Sequence, residues 1–165
     1  MMNAWRAQQV LLFLGVSFFS CLLATKSQAD SEIRLWKGQT VNVPVYPHIY
    51  IGDKEIPLDL STNLSVRNTD SENSITVVSV DYYDSDGKLV RKYVEKPALL
   101  NPMASAYFLA KTSDTRGGWG ANFIVEWRAE KEATEPLIES VITGARGTHS
   151  YSFVTRGKPI KGTSK

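Results

Sequence analysis

Cysteine is almost missing from this 165-residue chain: there is one, Cys21, and it falls within an apolar N-terminal run. The remainder therefore has no means of forming a disulfide framework, a cysteine-ligated metal site or a thiol nucleophile. Histidine is nearly as scarce, with only His48 and His149, far apart in sequence. Helical periodicity is also lacking over most of the chain, which points away from bundles and α/β folds. Charge of one sign is missing too. Without Arg6 and Lys26, the 19 basic residues fall to 17 and equal the 17 acidic ones. Near neutrality argues against nucleic acid as a partner, because that function requires a basic face.

What is present begins with an export signal. Arg6 is the only charge ahead of the run Val10–Val16, which continues with few polar breaks to Ala24, and Ser27-Gln28-Ala29 supplies the small residues of a cleavage site. Residues 1–29 are thus expected to be a cleavable signal peptide, placing the protein in the periplasm or outside the cell. Two alternatives leave it on a membrane: retention of an uncleaved segment, shorter than the roughly 20 residues a spanning helix needs, or lipidation at Cys21. About 136 residues then remain, one domain's worth, with enough surface to bury a core without cross-links. The sequence divides them into a β-sandwich at 30–156 and a basic flexible tail at 157–165. No acidic side chain follows Glu139, whereas Arg146, Arg156, Lys158, Lys161 and Lys165 are basic.

Short alternating runs separated by turns fill the mature region. Thr40–Tyr46 alternates but contains Pro44, which cannot donate to a ladder and predicts an edge or a bend. Leu58, Leu60, Thr62, Leu64 and Val66 share one strand face, the pattern of a half-buried strand. Ile75–Tyr83 is apolar on both faces for part of its length, as a central strand is. Asp84-Ser85-Asp86-Gly87 reads as a hairpin turn, and Leu89–Val94 returns from it. Further strands follow at Ala106–Lys111, from Ala121 to Arg128 and at Ser150–Val154, with Glu130–Pro136 as a polar exit loop. Leu137, Ile138, Val141 and Ile142 fit one helical face, but the β-branched Val141-Ile142-Thr143 favours a strand there. Phe123, Val125 and Trp127 alternate onto one face, and Trp127 is the expected core anchor. The predicted fold is all-β: an antiparallel immunoglobulin-like sandwich of seven to eight strands in a single domain.

Val43-Pro44-Val45-Tyr46, Leu64 through Asp70, Asp81-Tyr82-Tyr83-Asp84, Pro102-Met103-Ala104-Ser105, Gly120-Ala121-Asn122-Phe123 and Ser152-Phe153 occur in this order. In these blocks the chain resembles the bacterial exported family called domain of unknown function 3124, over about residues 36–157. The resemblance implies a secreted or envelope-associated domain and carries over no catalytic residues.

The residues themselves give little enzyme chemistry. Asp84-Ser85-Asp86-Gly87 has a tyrosine at 82 where a calcium loop needs an acid, and no late glutamate at the required distance, so no metal or other cofactor is expected. No Gly-x-Ser-x-Gly elbow is present. Asp81, Asp84 and Glu126 have no spacing that marks a carboxylate pair. A hydrolase using one of the histidines remains an alternative reading. Aromatic binding has more support: Tyr46, His48 and Tyr50 alternate along one stretch, and Trp36 and Trp119 stand beside turns. Such rings stack on sugars or anchor a protein partner, or else pack over the sheet edge and cap the sandwich end. The glycines at 117, 118 and 120 either permit a tight turn or bare backbone N–H groups to a ligand beside Asn122. The candidate ligand-binding residues are Trp36, Tyr46, His48, Tyr50, Trp119 and Asn122, and the candidate partner is an envelope protein or a glycan.

Overall fold

The structure, a computed structural model, describes residues 33–163; the expected signal peptide and Cys21 lie outside them. Among the described residues every regular element is a strand, and every pairing is antiparallel. In chain order the strands are β1 (Leu35–Val45), β2 (His48–Ile51), β3 (Ile56–Asp59), β4 (Ser61–Arg67), β5 (Ile75–Tyr83) and β6 (Leu89–Lys92). They are followed by β7 (Ala98–Leu100), β8 (Ser105–Ala110), β9 (Ala121–Thr134), β10 (Leu137–Arg146), β11 (His149–Arg156) and β12 (Lys158–Thr163). The larger sheet runs β12-β1-β9-β5-β6, with β7 also on β5; a four-stranded sheet runs β11-β10-β4-β8; β2 and β3 form a separate hairpin. Among the described residues twelve strands thus replace the seven to eight expected: β2, β3 and β7, of three or four residues, are too short to show a periodicity in the sequence, and β12 has no buried face.

Alternation decides what is inside. Val41, Val43 and Val45 of β1, Phe123, Val125 and Trp127 of β9, and Val77, Val80 and Tyr82 of β5 pack in one buried cluster with Leu64, Val66, Ala110 and Ile138 of the second sheet. Two antiparallel sheets therefore share a core between them. Trp127, Phe123 and Val125 are fully buried, as their two-residue spacing predicts. The Leu58–Val66 face is buried as well, but the chain breaks at Leu60, so that β3 leaves the sheet that β4 joins. A satellite cluster of Leu58, Leu60 and Ile142 then forms under the β2–β3 hairpin.

Three expectations need correction. The basic tail is not loose: Lys158–Thr163 forms β12, paired with Gly38–Asn42 of β1. All six of its residues are exposed, so no buried face announced a strand. Lys158, Pro159 and Lys161 suit a solvent-facing edge as well as they suit a tail. The exit loop at 130–136 is also mostly strand, since β9 continues past a bulge to pair Ala133 with Trp36 and Thr134 with Leu35. Its Glu130 and Lys131 are exposed, which masks the strand in the sequence. Finally, β1 is an interior strand along most of its length. Pro44 is accommodated because β12 covers only residues 38–42, leaving β1 an edge at Pro44 on that side.

Candidate functional site

The end of the two sheets at which β1 stops and β9 starts holds five of the six candidate residues, Tyr46, His48, Tyr50, Trp119 and Asn122, four of them aromatic or imidazole rings in contact. After Val45 the chain turns through buried Pro47, whose carbonyl accepts the Leu60 N–H at 2.8 Å and closes the base of the β2–β3 hairpin. β2 then presents alternate side chains to opposite sides: Ile49 and Ile51 pack on the satellite cluster, and His48 and Tyr50 meet Trp119. The indole of Trp119 stacks on Tyr50 with centroids 5.6 Å apart and planes 17° apart. Tyr46 and His48 approach the same indole edge-on at 6.0 and 5.9 Å, and His48 meets Tyr50 edge-on at 5.4 Å. Both geometries are favoured for aromatic pairs. Phe153 of β11 supports Tyr46 from below at 5.9 Å. The uppermost rings are accessible, Tyr50 being 53% and Trp119 49% exposed.

A glycine loop delivers Trp119. A side chain at Gly117 would collide with the buried Tyr82 hydroxyl and would lie 2.7 Å from Ala121 Cβ; Gly118 has φ +67°, which L side chains rarely adopt. Ser85, in the Asp84–Gly87 turn, clasps this loop. Its hydroxyl donates to the Gly117 carbonyl at 3.0 Å and accepts the Gly120 N–H at 2.8 Å, while its own N–H donates to the Gly117 carbonyl at 2.9 Å. Asn122 Nδ2 donates to the Gly120 carbonyl at 2.8 Å. The Gly120 N–H is thus engaged by Ser85 and the Asn122 amide by the loop itself, on either side of Trp119. At the foot of the loop Arg116 makes a two-pronged hydrogen bond to Asp114, at 2.8 and 2.7 Å. This bond holds the Asp114 carboxyl below its ordinary range, against an opposing effect of burial. Burial pushes the Tyr82 and Tyr93 hydroxyls upward from their ordinary value.

Trp36 is not part of this group. It lies ten residues back along β1, roughly 33 Å at the rise of a strand. There it packs against the main core, with Gly162 of β12 against its ring. Two of the three candidate carboxylates have other occupations: Asp84 Oδ1 accepts the Asp86 and Lys88 N–H groups at 2.9 and 2.8 Å, and Glu126 pairs with Arg128 at 2.8 Å, whereas Asp81 Oδ1 is buried without a hydrogen-bond partner. Among the described residues, no three His, Cys, Asp or Glu side chains are grouped to hold a metal, and neither histidine hydrogen-bonds a serine or carboxylate side chain. Phe153 and Ser85, which the sequence placed in a family block and a hairpin turn, were not among the expected site residues. Phe153 was detectable by its alternation with Tyr151; Ser85 could not be recognised, because its partners lie more than 30 residues away.

An all-β protein of antiparallel sheets, bearing an exposed aromatic cluster at one end, is the class so defined. The chain belongs to the family described as protein of unknown function (DUF3124), whose model matches residues 38–160, most of the chain. Among solved structures, the crystal structure of Thermotoga maritima 1070 is similar at a TM-score of 0.46 and 11% identity, over 76% of this chain and 97% of that one. No curated protein matches the sequence.

Proposed function

We propose that the protein is an exported, non-enzymatic binding module that acts in the periplasm or outside the cell and holds a glycan on the Tyr46–His48–Tyr50–Trp119 cluster. Lipid anchoring at Cys21 is the alternative placement for the same activity. The observation that carries the reading is the stacked pair of half-exposed rings, Tyr50 and Trp119, backed by two further aromatic side chains and a supporting Phe153. Exposed, rigidly supported aromatics present a flat apolar surface of the kind against which the apolar face of a pyranose ring stacks. Burying such rings commonly dominates the energetics of a contact. A frame of immunoglobulin-like type, two facing antiparallel sheets with binding residues clustered at one end, belongs to the same reading. A histidine-dependent hydrolase has no comparable support, since His48 is surrounded by aromatic rings.

The test is retention of the protein on purified peptidoglycan sacculi and quenching of its tryptophan fluorescence by cellotetraose. Trp119→Ala is expected to weaken binding by about thirtyfold, corresponding to about 2 kcal/mol for a central aromatic contact. Tyr50→Ala should weaken it nearly as much. Trp36→Ala, altered at the other end of β1, should bind as the parent does. Equal retention of the parent and Trp119→Ala would remove the proposal.

A further inference from the structure

We propose that a second binding site lies between the tip of the β2–β3 hairpin and the β10–β11 turn, and that it takes a small amphiphilic carboxylate. A cavity of about 330 Å³ opens there, lined by Ile51, Ile56, Arg146, Gly147, His149 and Tyr151. That volume is at the small end of ligand pockets, roughly 300–1,000 Å³. Ile51, Ile56 and Tyr151 provide the apolar walls, and Ile51 and Tyr151 also pack on the satellite cluster of Leu58, Leu60 and Ile142. The polar contribution comes from one place. Arg146 and His149 are cross-strand partners at the closed end of the β10–β11 hairpin.

Arg146 is held in position. Its Nη1 donates to the Pro57 carbonyl at 3.2 Å, across 89 residues of sequence. Among the described residues the ion pairs are Lys88–Asp86, Arg116–Asp114 and Arg128–Glu126, and none engages Arg146. The acidic residues of the neighbouring turn, Asp53 and Glu55, are exposed and do not line the cavity. A guanidinium fixed at the rim of an apolar recess matches an anion with an apolar tail. Its fork meets a carboxylate with paired, charge-assisted hydrogen bonds, and the walls take the tail out of water. A cationic amphiphile would face Arg146 directly. The arrangement also gives a use to part of the basic, acid-free stretch after Glu139. The site is independent of the aromatic cluster, because β2 turns Ile51 toward the cavity and His48 and Tyr50 toward Trp119.

The experiment is an amide-detected NMR titration of the exported protein with octanoate, octyltrimethylammonium and acetate. Octanoate should shift the amides of Ile51, Ile56, Arg146 and His149 and bind at least tenfold more tightly than either of the others. Arg146→Gln should weaken octanoate at least tenfold, and Arg146→Lys, which retains charge without the fork, by less. If loss of the Pro57 bond unfolds the hairpin, Ile56→Glu leaves that bond in place and sets a carboxylate at the rim; it should abolish octanoate binding with the rest of the spectrum unchanged. Equal affinity for the cationic amphiphile, shifts centred on Trp119, or indifference to both Arg146→Gln and Ile56→Glu would overturn the proposal. Tighter binding of a short peptide ending in leucine would also overturn it, by assigning the recess to a chain terminus. Failure on any of these grounds leaves Trp119-dependent glycan binding untouched.

Discussion

Trp127→Ala should lower the free energy of unfolding by about 3–5 kcal/mol, the usual cost of removing a buried tryptophan. Domains of this kind have about 5–15 kcal/mol in total, so the variant would stand near the limit of folding. The size follows from position. Trp127 is fully buried in β9, between Gln39 of β1 and Val77 of β5, on the face that meets the second sheet. No disulfide is available to hold the sheets together if that volume is emptied. The indole contributes through packing, because its Nε1 has no hydrogen-bond partner in the structure. Trp127→Phe, which discards that unpartnered group and keeps an aromatic ring, should therefore lose less than half as much. Urea denaturation of the three proteins decides the matter, with the midpoints moving and the slopes unchanged. A Trp127→Ala midpoint equal to that of the parent would show that the two sheets do not depend on this residue.

Asp70→Ala should cost roughly 3 kcal/mol, although it removes only a small polar side chain. The carboxylate is buried and accepts three backbone N–H groups: Glu72 at 2.9 Å and Asn73 at 2.7 Å on Oδ1, and Thr134 at 2.9 Å on Oδ2. The last of these ties the turn after β4 to the end of β9. Beside it, Asn68 donates to the carbonyls of Asn73, Leu100 and Asn101 and accepts the Asp70 N–H. Alanine would leave three part-buried backbone donors without their acceptor. The N–H groups of Asn73, Thr134 and Glu72 hold the Asp70 carboxyl below its ordinary value, against the opposing effect of burial. A carboxyl whose folded value is depressed stabilises the fold fully above the ordinary carboxylate range. The contribution is lost as pH falls through the folded value. The stability difference between the parent and Asp70→Asn should accordingly be constant from neutral pH down to about 5, and shrink below about pH 4. A difference that persisted unchanged into strong acid would assign the turn to contacts other than this carboxylate.

The particular residues show how far the sequence could be read. Phe123, Val125 and Trp127, and Leu64 and Val66, alternate without interruption over strands that are half buried, so their facing was legible from period alone. The strand at Lys158–Thr163 was not legible, since an edge strand with both faces in water has no pattern to display. The hairpin turn at Asp84–Gly87 was read correctly from its Asp-Gly pair, and Gly87 does adopt φ +76°. Its second role was hidden: Ser85 reaches Gly117 and Gly120 only because β5 and β9 pair and bring the two loops together. The same limit applied to the aromatic residues. Tyr46, His48 and Tyr50 could be grouped by their alternation, and Trp119 only as a ring beside a glycine turn. Their meeting depends on strand ends about 70 residues apart in sequence. Trp36 shows the converse: it is close to Tyr46 in sequence and at the far end of the same strand in space.

The central proposal, that a glycan is held on the aromatic cluster around Trp119, is tested most directly by the indole N–H resonances of Trp36, Trp119 and Trp127. Each occupies a different environment: partly buried at the far end of β1, half exposed on the aromatic cluster, and fully buried in the core. On titration with cellotetraose or soluble peptidoglycan fragments, the Trp119 resonance should move in a saturable way, while those of Trp36 and Trp127 stay in place. Movement of Trp36 with Trp119 unaffected, or no saturable movement of Trp119 with either glycan, would contradict the account.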